Sequence, residues 1–274
     1  MLKQRLISAL VLVPLVVLAV LKLDSSWFAL LIAAAMLLAA WEWGPLIPLH
    51  STATRFGYLV LILTLIAVSW CSAQVEIFVD TVLWTALAGW LFVLFWITRP
   101  ALGAGETGKH LLAKILLGCG LMVSTWLALV VLHSRPDQGA YWVLYLLVLV
   151  WVADSGAFFT GRQLGRTKLA PKVSPGKTWE GVFGGLVACA LFAFAYARFF
   201  LGLQGAAMAG FVLVSLVTVL FSVVGDLLES LLKRQRGVKD SGALIPGHGG
   251  VLDRLDSLFA AAPIFLLGLR WTGL

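Results

Sequence analysis

Charge is what this chain has least of. Asp, Glu, Lys and Arg together make up only 12% of its 274 residues. A soluble globular domain carries about twice that fraction, so a freely soluble enzyme is excluded. Cysteine is nearly as scarce. Cys71, Cys119 and Cys189 lie far apart inside apolar runs, and no CxxC spacing occurs. That excludes a cysteine zinc site and dithiol redox chemistry, and the three read as small buried hydrophobes. A cleavable leader is missing too. The first apolar run follows "MLKQR" but has no small-residue cleavage site and is followed by another span, so it reads as a retained helix.

What is present is oil. The chain is 61% hydrophobic with a mean hydropathy of +1.00. Apolar runs of about 17 to 22 residues recur from end to end, the length an α-helix needs to cross a bilayer core of roughly 30 Å. The expected fold is an all-α, polytopic membrane bundle of nine spans, near 6–22, 27–43, 57–73, 79–97, 111–132, 141–160, 180–200, 207–228 and 257–273. Of 20 basic residues, 16 fall at the N-terminus and in the loops after even-numbered spans; only Lys22, Arg135, Arg198 and Arg270 fall on the other side. This split predicts a cytoplasmic N-terminus and an external C-terminus. The expected organisation is an N-terminal helical scaffold over residues 1–110, a middle segment over 111–140, and a chemistry-bearing region over 141–274 with two polar cytoplasmic loops.

Carboxylates inside a membrane are costly and usually functional. Here they gather near one face. Asp154 lies late in the sixth span, Glu180 opens the seventh, Asp226 and Glu229 lie late in the eighth, and Asp253 and Asp256 open the ninth. Asp226, Glu229, Ser230 and Lys233 stand at i, i+3, i+4 and i+7, on one helix face. Asp253, Asp256 and Ser257 repeat the spacing. Two opposed acidic faces repel unless a cation lies between them, and hard oxygen ligands suit Mg²⁺. The competing reading pairs single acids with Lys233, Lys239 or Arg254 in structural salt bridges, and Glu180 with its helix dipole.

Basic residues interleave with the acids. The loop "GRQLGRTKLAPKVSPGKTWEG" holds Arg162, Arg166, Lys168, Lys172 and Lys177, and "KRQRGVKD" holds Lys233, Arg234, Arg236 and Lys239. Cations beside a metal site point to a phosphate-rich ligand; alone, they would also suit an anionic lipid surface. The run Ser174-Pro175-Gly176-Lys177-Thr178 precedes a helix whose N-terminus offers N–H groups to an anion, although Walker A spacing is absent. Gly247, Gly249 and Gly250 flank His248, so that backbone N–H groups can approach a phosphate and His248 can donate to it. Phosphate-cradling backbone, cations and metal-binding acids at a membrane boundary fit phosphoryl or nucleotidyl transfer onto a lipid.

The segment "SLLKRQRGVKDSGALIPGHGGVLDRLDS", residues 230–257, resembles the signature of the phosphatidate cytidylyltransferases, also called CDP-diacylglycerol synthases. Ser230, Lys233, Arg234, Lys239, Asp240, Pro246, His248, Gly249, Gly250, Asp253, Arg254 and Asp256 carry it. Upstream, Asp154, Gly161, Arg162, Gly165, Ser174, Pro175, Lys177, Thr178, Glu180 and Gly181 resemble the family's second polar block. The likeness covers roughly 140–274. It implies the reaction CTP + phosphatidate → CDP-diacylglycerol + pyrophosphate, in a Mg²⁺-dependent homodimer of the bacterial inner membrane that works from the cytoplasmic side. It implies a catalytic set of Asp226, Lys233, Arg234, Lys239, Asp240, His248, Asp253, Arg254 and Asp256. Arg162, Ser174, Lys177, Thr178, Glu180, Ser230, Gly249 and Gly250 would bind substrate. The metal would fall to Asp226, Asp253 and Asp256 with Asp154, with room for a second, monovalent cation. No nucleic acid is expected as a partner. Another lipid-directed CTP enzyme, such as a lipid-alcohol kinase or an ether-lipid cytidylyltransferase, remains the nearest alternative. A secondary transporter would place its charges at the midplane rather than at helix ends.

Overall fold

The computed structural model describes residues 2–105, 107–238, 240–242 and 249–274, with side chains from Leu10 onward. Among these, the elements run α1 (Leu2–Lys22), α2 (Ser25–Leu46), α3 (Thr52–Ser72), α4 (Glu76–Ile97), α5 (Gly108–His133), α6 (Gly139–Leu164), β1 (Lys168–Ala170), β2 (Ser174–Thr178), α7 (Trp179–Phe199), α8 (Gly205–Gln235) and α9 (Leu252–Thr272). Helices dominate because a bilayer offers no water to backbone N–H and C=O groups. Polar caps set several starts. Asp24 accepts from the N–H groups of Ser26 and Trp27 ahead of α2, and Ser51 accepts from Thr54 ahead of α3. Among the described residues, seven helices, α2 to α8, are long and apolar enough to cross a membrane.

Large apolar side chains such as Phe56, Val60, Ile77, Trp84, Phe183, Val187 and Leu191 point outward. In water each would carry a hydrophobic penalty of about 25 cal/mol per Å²; against lipid tails they carry none. The protein is thus a multi-pass helical membrane protein. α9 occupies the middle of the bundle, packed on α8, α5, α4, α6 and α2, and its residues from Ser257 to Leu267 are buried. The buried apolar residues form two clusters, each drawing on both the early and the late helices.

Two close approaches position the polar end. At Gly225 a Cβ would run into the Asp256 carbonyl, so α8 and α9 touch backbone to backbone beside Asp226 and Asp256. On α7, Gly181 and Gly185 are four residues apart, and a Cβ at either would stand 2.9 or 2.8 Å from the carbonyls of Ala157 and Ala153 on α6. Small residues at that spacing let membrane helices pack tightly.

Boundaries differ from the hydropathy reading in one instructive way. α8 continues to Gln235 and α9 starts at Leu252, both past the apolar runs. Helix hydrogen bonding does not need oil, and Glu229 and Lys233 pair along the polar extension of α8 at 3.4 Å. The loop after α6 is also not irregular. β1 and β2 form an antiparallel hairpin with Lys168 opposite Thr178 and Ala170 opposite Ser174.

Candidate active site

The hairpin and three helix ends enclose the polar region. A cavity of about 530 Å³ lies between α6, α7, α8 and β2, lined by the polar side chains of Asp154, Arg162, Lys177, Thr178 and Asp226 and by the apolar ones of Ala157, Phe158, Val182, Val219 and Val223. Lys177 Nζ reaches Asp226 Oδ2 at 2.6 Å, and the Ser230 hydroxyl donates to Asp226 Oδ1 at 3.3 Å. Asp154 has Lys177, Asp226 and Arg254 as its electrostatic neighbours, and Asp256 has Asp226, Glu229 and Lys177. Three helices and a strand thus deliver Asp154, Asp226, Glu229, Asp256 and Lys177 to one place.

A second node adjoins it. Lys233 Nζ donates to Asp253 Oδ1 at 2.7 Å and stands 3.4 Å from Glu229 Oε2. Asp253 Oδ2 accepts from Gly250 N–H at 2.8 Å, from the Ser241 hydroxyl at 2.9 Å and from Ser241 N–H at 3.2 Å. Asp253 stands before the apolar stretch of α9. Burial alone would raise its carboxyl, but Lys233 and these donors hold it well below the ordinary carboxylate range, so it is ionised at neutral pH. With φ at +83° and Asp253 beside the position its Cβ would take, Gly249 makes the turn that presents Gly250 to this carboxylate.

The other predicted residues sort by what they touch. Arg234 Nε donates to Val173 O at 3.3 Å and ties the hairpin to the end of α8. Glu180 takes the Thr167 N–H on both oxygens at 3.1 Å. The Thr178 hydroxyl accepts from Gly181 N–H, while Trp179 N–H goes to Thr167 O. These bonds occupy the Trp179 and Gly181 N–H groups in the first turn of α7, the helix start that the sequence offered to an anion. Ser174 opens β2, and Arg254 and Asp240 are exposed. Lys239, Pro246, Gly247 and His248 lie outside the described residues. One acid escaped the sequence reading altogether. Glu42, near the end of α2, is 4% exposed and accepts from Leu252 N–H at 2.8 Å, at the start of α9. Its signal was there: a single carboxylate in the apolar run "AAWEWG".

The chain matches the model of the cytidylyltransferase family over residues 3–271. The chain belongs to that family. It is 38% identical to a phosphatidate cytidylyltransferase of Haemophilus influenzae, over 97% of both chains. It is 40% identical to one of Pseudomonas aeruginosa, over 99% of this chain and 97% of that one. A third, of Brucella suis, is 43% identical over 54% of each chain.

For this cytidylyltransferase-family member, the donor chemistry bears on a metal. Among the described residues the carboxylates of Asp154, Asp226, Glu229, Asp253 and Asp256 outnumber the cations beside them, Lys177, Lys233, Arg162 and Arg254. Both Glu229 oxygens are buried and accept no hydrogen bond among the described residues. Among the described residues no three His, Cys, Asp or Glu side chains stand as a ready-made cage. The all-oxygen donor set and the surplus negative charge nevertheless suit a hard divalent cation such as Mg²⁺. The two acids expected to share one ion each face a lysine of their own, Asp226 with Lys177 and Asp253 with Lys233.

Proposed function

We propose that this protein transfers CMP from CTP to phosphatidate, giving CDP-diacylglycerol and pyrophosphate. One observation carries the reading beyond family membership. The cavity is lined both by charged side chains, Asp154, Arg162, Lys177 and Asp226, and by apolar ones, Ala157, Phe158, Val182, Val219 and Val223. An ionic headgroup fits the first while acyl chains lie against the second or remain in the bilayer.

The chemistry needs no general base, because the phosphate of phosphatidate is already ionised near pH 7. Its oxygen attacks the α-phosphorus of CTP, the bond from that phosphorus to the bridging oxygen breaks, and pyrophosphate leaves. Two polyanions must approach each other, so the task of the protein is to offset repulsion and hold the reactants in line. Lys177, Lys233, Arg162 and Arg254 are the cations for that task, with Arg234 and Glu180 keeping the hairpin in place. Asp226, Asp256 and Asp154 would hold Mg²⁺, which when bound neutralises phosphate charge. Asp253, saturated by four donors, anchors Lys233 and the Gly249–Gly250 turn instead.

The reading also includes a homodimer in a bacterial inner membrane, with the acid-rich end in the cytoplasm where CTP is found. Cysteine labelling of the 161–179 loop from the external side alone would overturn that orientation. The reaction itself is tested with purified protein, phosphatidate and CTP labelled at either the α- or the γ-phosphate, with and without Mg²⁺. Lipid-borne α-label is the expected product. Lipid-borne γ-label would identify a lipid kinase instead.

A further inference from the structure

We infer that Glu42 is a positioning residue of the site, holding the start of α9 and with it the carboxylates of Asp253 and Asp256. This rests on the reading of that site as the place of nucleotidyl transfer. α9 begins without a cap of its own, because Val251 has no side-chain acceptor. An uncapped helix start leaves N–H groups without partners, and Leu252 is fully buried. Glu42 supplies the missing acceptor from 210 residues away in sequence, its Oε2 taking the Leu252 N–H at 2.8 Å.

The polar loop is shaped around this carboxylate. A Cβ at Gly242 or at Gly250 would collide with the Glu42 oxygens, so both glycines pass directly over it. Gly250 N–H in turn donates to Asp253, which holds Lys233. A displacement of Glu42 therefore travels through two backbone positions to the charged node.

The support beneath Glu42 is stiff. Trp43 Nε1 donates to the Lys114 carbonyl on α5 at 3.2 Å. Arg55 Nε donates to Leu49 O at 2.9 Å, and its side chain lies against Gly44. The end of α2 is thus clamped on both sides of Glu42. That clamp makes a helix of the apolar early half a fixed reference for a loop of the late half. Only one oxygen is used for the purpose: Glu42 Oε1 accepts no hydrogen bond among the described residues.

The test compares Glu42→Ala, Glu42→Gln, Gly242→Ala and Asp253→Asn by kcat and KM for CTP and for phosphatidate, per folded molecule, alongside Tm. A misplaced reacting group costs on the order of a hundredfold, so Glu42→Ala should lose about that much in kcat/KM for CTP with KM for phosphatidate unchanged. Glu42→Gln keeps one acceptor oxygen and should stay within about threefold of the parent, since one bond is what the fold uses. Gly242→Ala pushes the carboxylate away and should reproduce the defect. Added to Glu42→Ala, it should cost little more, because the collision is gone. A merely structural Glu42 predicts a lower Tm with normal kcat/KM in the molecules that fold; that result overturns the inference. Should Glu42→Ala not fold, normal kinetics in Gly242→Ala overturns it equally. If Asp253→Asn is fully active, the site reading itself falls and takes this inference with it.

Discussion

The two ends of α9 hold ion pairs of the same length. At its start Lys233 meets Asp253 at 2.7 Å, and at its finish Arg270 meets Asp80 at 2.7 Å. A cavity stands near each, about 530 Å³ toward the first and about 400 Å³ at the second. By distance and volume the ends look alike. They differ in charge balance. At the finish two guanidinium groups stand with one carboxylate side chain: Arg270 has Asp80, and Arg135 donates to Leu274 O at 2.6 Å, lies over the Trp142 ring and leaves Nη1 without a hydrogen bond among the described residues. At the start, the carboxylates outnumber the cations, and neither Glu229 oxygen accepts a hydrogen bond among the described residues. An ion pair is therefore no marker of function here. Surplus negative charge delivered by several helices is, because it is stable only with a cation still to arrive.

The largest expected effect follows from supplying or withholding that partner. Chelation of divalent cations should abolish turnover, and Mg²⁺ should restore it. Asp226→Asn and Asp256→Asn should each lower turnover on the order of a thousandfold, several kcal/mol of transition-state stabilisation, and should raise the Mg²⁺ concentration needed for half activity. Asp253→Asn should be as inactive with an unchanged Mg²⁺ requirement, because that carboxylate is spent on Lys233, Ser241 and Gly250. Activity across a Mg²⁺ titration separates the two patterns. An unchanged requirement in Asp226→Asn would remove that residue from the metal site.

The next effect contrasts the lysines. Lys177 and Asp226 are both partly exposed, whereas Lys233 lies against a nearly buried Glu229. Lys177→Met should leave stability within about 1 kcal/mol and lower activity about a hundredfold through loss of a cation beside phosphate. Lys233→Met leaves buried carboxylates unpaired and should cost about 3–5 kcal/mol of stability, seen as a large fall in Tm. Equal Tm values for the two variants would contradict the burial difference.

Much of this comparison was legible in sequence, and the missing parts share a cause. Apolar run length fixed the helices, because bilayer thickness and helix rise leave little freedom. The i, i+3, i+4 and i+7 spacing from Asp226 to Lys233 correctly put those residues on one face. The hairpin was not legible: strands of three and five residues containing Pro175 and Gly176 are too short for alternation to register. They persist through distant bonds, Arg234 to Val173 and Glu180 to Thr167. The lysine partners of Asp226 and Asp253, and the grip of Glu42 on Leu252, are likewise tertiary facts. Spacing along one helix says which residues share a face; it cannot say what that face meets.

A smaller effect tests the hairpin clamp. Arg234 reaches Val173 O at 3.3 Å, a long bond to a neutral acceptor. Arg234→Ala should loosen the hairpin that carries Lys177 and cost about tenfold in kcat/KM with Tm nearly unchanged. A loss as large as that of Asp226→Asn would mean that Arg234 touches substrate rather than the hairpin.

The smallest effect belongs to the end where arginines outnumber the acid. Asp80→Asn keeps the side-chain size and one oxygen for Arg270 while removing the charge. Asp80 is 39% exposed and Arg270 29%, so solvent screens much of the pair and its worth is about 0–1 kcal/mol. For a chain of this size that is a Tm shift of a few degrees at most. Turnover should stay within about twofold and the Mg²⁺ requirement should not move, since α9 places this pair roughly 20–25 Å from the acids at its other end. Both ends present a carboxylate–cation pair beside a cavity, so the same Asp→Asn change is a controlled comparison. If Asp80→Asn lost a thousandfold in turnover, charge surplus would no longer separate site from scaffold. A null result there, beside an inactive Asp226→Asn, ties the chemistry to the end of the bundle where negative charge is in excess.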